Sequence, residues 1–227
     1  DFHALALTAR LEGVTTIVLL ILATPLAAWI ASGRGIARQI VQAVVALPLV
    51  LPPTVLGFYL LMGLGPATSF GRAIIFVFGH PLAFTFTGLV IGSIIYSLPF
   101  AVQPLVAGFT SVDRSLLETA RVLGASPRVA FQRVILPLSK TSFLTAAVLT
   151  FAHTVGEFGV VLMVGGDIPG VTRTLSLSIF DQVQELNYHA ANRTSLWLIA
   201  LSFAALLLVY FRLPQRRSTQ AGSTQLG

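Results

Sequence analysis

The chain has 227 residues, 55% hydrophobic and only 10% charged, with mean hydropathy +0.87 and a formal net charge of +6. Soluble domains carry roughly 25% charged residues, so a water-soluble fold is excluded: the chain has too little polar surface to cover its apolar atoms, whereas a bilayer accepts them as solvent. The absence of cysteine excludes a disulfide framework, a thiolate metal site and a cysteine nucleophile.

The expected organisation is a single all-α integral membrane domain over residues 1–213, followed by a polar tail over 214–227. Asp1 opens the chain in place of Met, and a few residues are expected ahead of it; the first apolar run, long and without a basic leader, reads as a span and not as a cleavable signal. A helix needs about 20 apolar residues to cross the hydrocarbon core, and charge-free runs place five spans at 11–32, 40–64, 86–109, 141–164 and 194–211.

The second span carries Pro48, Pro52 and Pro53, and the third Pro99 and Pro104. Proline removes a backbone donor and kinks a helix, so these segments are either kinked packing helices or the irregular wall of a pathway. Residues 65–85 are semi-apolar, with Gly65-Pro66 and His80-Pro81 as breakers, and suit a re-entrant or surface helix; a sixth, shorter crossing there would upset the charge distribution. In the polar stretch 165–193, Leu175, Ile179, Val183 and Leu186 form a helical stripe, as in an interfacial helix or a cap on the spans.

Five spans put the termini on opposite sides. One side then holds 32–39, 110–140 and the C-terminus, with ten basic and two acidic residues; the other, which includes Glu12 and Glu157, has four basic and six acidic residues. The positive-inside rule assigns the first side to the cytoplasm, with the N-terminus out and the C-terminus in. The basic charge is thereby explained without nucleic acid, for which no motif occurs.

The longest cytoplasmic stretch, 111–140, reads as a helix–turn–helix. Asp113 or Ser111 caps a first helix through Leu123, with Leu116, Leu117, Ala120 and Leu123 on one face. Gly124 ends it. Ser126-Pro127 starts a second helix, with Val129, Phe131, Val134, Ile135 and Leu138 on its apolar side. The pattern fits an amphipathic pair on anionic headgroups or a knob that docks in the groove of a soluble partner.

Glu118-Thr119-Ala120, three residues, Gly124, nine residues, then Val134-Ile135-Leu136-Pro137 resembles the EAA loop of ABC importer permeases, departing only at Thr119 for Ala and Val134 for Ile. The run Leu47-Pro48-Leu49-Val50-Leu51-Pro52-Pro53-Thr54-Val55-Leu56-Gly57 is similar to the second-span motif of the molybdate permeases. So are Gly156-Glu157-Phe158-Gly159, Ile168-Pro169-Gly170 and Thr172-Arg173-Thr174; sulfate and thiosulfate permeases share part of this pattern.

The resemblance implies a permease subunit that works as a homodimer in the bacterial or archaeal cytoplasmic membrane, with two ATP-binding cassette subunits beneath it and an oxyanion-binding protein outside. It implies import of molybdate, with tungstate sharing the route and sulfate as the alternative. The chain has no G-x-x-x-x-G-K-[ST] loop, so no cofactor is expected on it, and ATP and Mg would belong to the partner. The loop residues Glu118, Thr119, Ala120, Gly124, Ala125, Ser126, Phe131, Leu136 and Pro137 would meet the ATPase; Glu118 either pairs with a basic residue there or caps its own loop.

The spans hold no mid-membrane Arg or Lys. A buried cation would hold a dianion and release it slowly, so a pore of hydroxyls and helix dipoles is expected, with specificity left to the binding protein. Candidates along it are Pro52, Pro53, Thr54, Tyr59, Ser93, Tyr96, Thr150 and Gly156. Glu157 would repel an oxyanion; it is a gate or dimer-contact candidate, or a solvated or paired carboxylate. His153, one turn earlier, either joins that polar group or packs. Arg173, in the outer loop, attracts the anion, contacts the binding protein or forms a surface ion pair. A secondary transporter would need carboxylate relays or broken-helix repeats, a membrane enzyme a motif such as H-E-x-x-H; neither is present, and a channel would not need the loop.

Overall fold

The computed structural model describes residues 2–212, which are helical with no strand among them. Helix α1 (Phe2–Ala31) is followed by α2 (Ile36–Ala46), a 3-10 turn (Leu47–Leu49), α3 (Pro53–Leu64), α4 (Ser69–Phe78) and α5 (Phe86–Thr110). The loop region contains α6 (Arg114–Val122), α7 (Pro127–Ala130), a π-helical turn (Phe131–Ile135) and α8 (Leu136–Leu138). Then come α9 (Lys140–Val155), α10 (Gly159–Gly165), α11 (Leu175–Gln184) and α12 (Tyr188–Arg212). The tail expected at 214–227 lies outside the described residues.

The centre is the trio α1, α5 and α9. Leu19, Ala23 and Ala27 of α1 are fully buried against Ala101, Val102 and Leu105 of α5 and Ala146 of α9. Small side chains let the backbones approach closely, which is how helices associate where lipid offers no hydrophobic drive. α5 runs unbroken through Pro99 and Pro104.

Two expected spans are not single helices. Residues 40–64 divide into α2 and α3, bent by 108° across the proline run. Pro52 holds φ −56° and ψ 135°: a residue before proline is driven out of the helical region by clash with the following ring, so Pro52-Pro53 ends one helix and starts another. Residues 141–164 divide at Gly156 into α9 and α10, and α9 itself turns by 70° from the segment Pro127–Leu138. Among the described residues there are thus three continuous helices long and apolar enough to cross a membrane, and up to five crossings if each bent pair is one.

Two further expectations are corrected. Glu12 is not on the aqueous outer surface: α1 begins nine residues before the expected 11, and Glu12 is wholly buried. Cover comes from α11, where Thr8 Oγ1 accepts the Leu175 N–H at 2.9 Å and Leu11 packs with Leu177. The stripe in 165–193 is only half right: Leu175 is buried with Leu177 and Ser178, but Val183 and Leu186 are exposed. The helix ends at Gln184 and Leu186 turns to φ 58°, which breaks the 3.6-residue register. Connection 65–85 carries α4, capped by Thr68 Oγ1, which accepts the Gly71 N–H.

Candidate functional site

The broken spans meet where the motifs lie. Gly159 opens α10 against the start of α3, and Gly57 of α3 faces Met163 of α10. A Cβ on Gly159 would stand 2.8 Å from the Pro53 Cβ, and one on Gly57 2.8 Å from the Met163 Cβ. Only glycine permits this crossing. It fixes α3 and α10 as one wall of a cavity of about 520 Å³.

The cavity is lined by Pro53 and Thr54 of α3, Tyr96 of α5, Ala152 and His153 of α9, Gly156, Glu157 and Phe158 of the following turn, and Gly159. Five expected pathway residues are therefore brought together: Pro53, Thr54, Tyr96, Gly156 and Glu157. The lining includes no Arg or Lys. Pro52 stands just outside it as the residue before α3, whose N-terminus has no side-chain cap and so presents partial positive charge toward the Thr54 side of the cavity.

Glu157 is 3% exposed, and neither carboxylate oxygen has a hydrogen bond. Its backbone is held at both ends: the N–H donates to Thr154 O at 3.2 Å, and the carbonyl accepts from Ser176 Oγ at 2.9 Å. Ser93 lies beside the carboxyl with its own hydroxyl buried and without a hydrogen bond of good geometry. Thr150 is one turn below Thr154; its carbonyl accepts the Thr154 hydroxyl at 2.9 Å, while its own hydroxyl is buried and unpaired. Tyr59 is apart from the cavity, 70% exposed with its ring edge-on to Phe58.

Of the residues that hold His153, sequence reasoning singled out Tyr96 but missed Ser97 and Phe100. The His153 ring stacks on Phe100 at 4.0 Å and tilts against Tyr96 at 4.6 Å, and its Nδ1 is 2.9 Å from Ser97 Oγ. Ser93, Ser97 and Phe100 fall at helical spacing on α5, and that periodicity was the available signal.

The loop is built as the sequence suggests. Asp113 caps α6, its Oδ1 accepting the Ser115 N–H at 2.9 Å, and this bond holds the carboxyl below its ordinary pKa. Gly124 adopts φ 81°, a left-handed turn that side chains resist. Ser126 Oγ accepts the Val129 N–H and Pro127 opens α7. Leu116, Val122 and Leu123 project outward, Leu123 with 80% of its surface open. Glu118, Thr119, Ser126 and Pro137 are exposed, and Ala120, Ala125 and Leu136 half-buried. Phe131 points inward, edge-on to Phe109 at 5.5 Å, and anchors the loop to α5 instead of projecting from it.

Arg173 donates from Nε and Nη2 to both oxygens of Asp167 at 2.9 and 3.0 Å, and its Nη2 forms an ion pair with Asp181 at 2.9 Å. These bonds raise its pKa, while Asp181 is raised by its hydrogen bond with Asp167 and by burial. The guanidinium thus pins the α10–α11 connection, where Asp167 takes φ 53°.

Residues 23–216 match the family model described as "Binding-protein-dependent transport system inner membrane component". The chain is 48% identical over 210 residues to the molybdenum transport system permease protein ModB of Azotobacter vinelandii, covering 92% of this chain and 93% of that one. It is 34% identical over 210 residues to the putative molybdenum transport system permease protein YvgM of Bacillus subtilis, covering 92% and 91%. In fold it is similar to a chain of a bacterial ABC transporter involved in alginate import, with TM-score 0.77 at 20% identity over 93% of this chain and 78% of that one. A chain of the MetNI methionine ABC transporter gives TM-score 0.69 at 17% identity, covering 93% and 95%. With its broken spans, its exposed loop and a family match over most of its length, this chain belongs to the binding-protein-dependent transport system inner membrane components, the permease family of ABC importers.

Proposed function

We propose that this chain is the membrane-spanning subunit of a molybdate importer, that tungstate shares its route, and that two copies form the pathway. A binding protein delivers the oxyanion, and ATP hydrolysis on two partner subunits, received through the loop at α6–α8, drives the alternation between outward-open and inward-open states. The N-terminus faces out and the C-terminus in, as the excess of basic residues on the loop side favours.

The observation that carries this reading is the cavity itself. Its wall is built from the same proline, glycine and glutamate motifs that resemble molybdate permeases, and it offers hydroxyls and a helix N-terminus without a fixed cation. Such a site holds a dianion briefly and lets it go. Identity of 48% and 34% over 92% of the chain with relatives named for molybdenum transport supports the choice of substrate.

The test is ATP-dependent uptake of labelled molybdate by cells with and without the protein, with excess sulfate or tungstate as competitor. Uptake that requires the protein, persists in sulfate and falls in tungstate is the expected result. Loss of uptake in sulfate moves the substrate to the sulfate class.

A further inference from the structure

A chain of hydrogen bonds behind the cavity fixes how His153 meets whatever enters it. Thr154 Oγ1 donates to the Thr150 carbonyl at 2.9 Å, which uses its only proton. Ser97 Oγ, 3.2 Å from Thr154 Oγ1, must then donate to it. Ser97 Oγ in turn lies 2.9 Å from His153 Nδ1 and, with its proton spent on Thr154, can only accept there. Nδ1 therefore carries the hydrogen, and in the neutral ring Nε2 carries a lone pair. Phe100 and Tyr96 clamp the ring at 4.0 and 4.6 Å. Nε2 makes no hydrogen bond among the described residues, and it belongs to a ring that lines the cavity.

We propose that His153 is the oxyanion-contacting residue of this cavity, and that it binds the anion only together with a proton on Nε2. The neutral ring offers the anion a lone pair and repels it; the protonated ring offers a charged donor. The proton comes from cavity water and returns to it when the anion leaves, so the cation exists only while it is occupied.

The titratable groups nearest the ring are Tyr96 and Glu157. From the other long helices packed on α9, α1 carries His3, Arg10 and Glu12 and the first turns of α12 carry Tyr188, His189 and Arg193, and none of these lines the cavity.

This inference rests on the cavity being the oxyanion route, and the experiment separates the two. Because the chain has no cysteine, Ala152→Cys places one reporter thiol in the lining. In the complex with its ATPase partner, labelling of this thiol by a negatively charged thiosulfonate is timed with sodium molybdate or with sodium chloride of equal ionic strength, at mildly acid and mildly alkaline pH. Molybdate is expected to slow labelling by about tenfold at the acid pH, the scale of one charge-assisted hydrogen bond, and little at the alkaline pH. His153→Gln abolishes the protection, and His153→Lys keeps it at both pH values. Ser97→Ala frees the tautomer, lets the neutral ring donate from Nε2 and flattens the pH dependence. Co-purification with the ATPase subunit reports folding of each variant. Undiminished protection with the parental pH profile in His153→Gln overturns the proposal and leaves the cavity as the route. Protection in no variant, the parent reporter included, overturns the proposal and the cavity route together, while molybdate uptake still decides the substrate. An unchanged pH profile in Ser97→Ala overturns the tautomer-dependent step.

Discussion

The cavity and the loop at α6–α8 are mirror images in their chemistry. The loop sits among polar and charged residues yet leaves Leu116, Val122 and Leu123 uncovered. The cavity sits inside an apolar bundle yet is lined by Glu157, whose carboxyl atoms are unpaired, and the hydroxyls of Ser93 and Thr150 are buried and unpaired on the neighbouring helices. Exposed apolar surface in water and unpaired polar atoms in a buried, apolar setting are each unfavourable for folding alone. On the proposed function, these are the two places where the molecule would be completed by something else: a protein groove at one, an anion in transit at the other.

The most severe break in the comparison is predicted at the wall that joins both broken spans. Gly159→Val drives a side chain into Pro53; overpacking of this kind costs about 1–3 kcal/mol, and uptake should fall to background with a clear loss of thermal stability in detergent. Leu123→Asp should act on the loop alone. Its site is 80% exposed, so folding is retained, while affinity for the ATPase subunit, read by co-purification or titration, drops by about 30-fold, as for a buried interface anchor.

The two buried carboxylates sharpen the comparison further. Glu12 is wholly buried under α11 and lies outside the cavity, whereas Glu157 lines it. Replacing either with Leu removes an unpaired buried group and is expected to stabilise by about 1–3 kcal/mol. Glu12→Leu should leave uptake intact, and Glu157→Leu should change its rate. Equal effects on uptake would erase the distinction between a structural and a pathway carboxylate.

Two smaller effects test the connections. Arg173→Ala removes a partly exposed ion-pair cluster and should cost about 1 kcal/mol, visible as a modest fall in melting temperature with uptake preserved; a collapse of uptake would make Arg173 a contact for substrate or binding protein. The cap at Asp113 gives the smallest signal. Its folded pKa lies below the ordinary 3.8, so its contribution is complete above that value and is lost as pH falls through the lower, folded one. Loss of α6 helicity on acidification, measured by circular dichroism, should disappear in Asp113→Ala.

Much of the loop was legible in the sequence because it is local chemistry. The Asp113 cap, the left-handed Gly124 and the Ser126-Pro127 start each depend on residues within a few positions. Which way a loop side chain points is different: Phe131 looks like a docking anchor beside Leu123, and only its contact with Phe109 turns it inward. The cavity was half legible. Pro53, Thr54, Tyr96, Gly156 and Glu157 stood out by motif and residue type, while Tyr59 shared their chemistry and lies on the outer surface.

By itself the sequence determined that the chain belongs in a membrane, where its apolar runs lie, and that a capped helical loop interrupts them, because charge distribution and capping act over short stretches of chain. The tertiary structure decided that two of the apolar runs break and fold against each other, since the bend at Pro52-Pro53 takes its direction from the close approach of α3 and α10. It also decided that Glu12 is buried while Arg173 is tied to two carboxylates, and that His153 is held by serine and threonine hydroxyls. Those outcomes depend on partners tens of residues away, which no local pattern encodes.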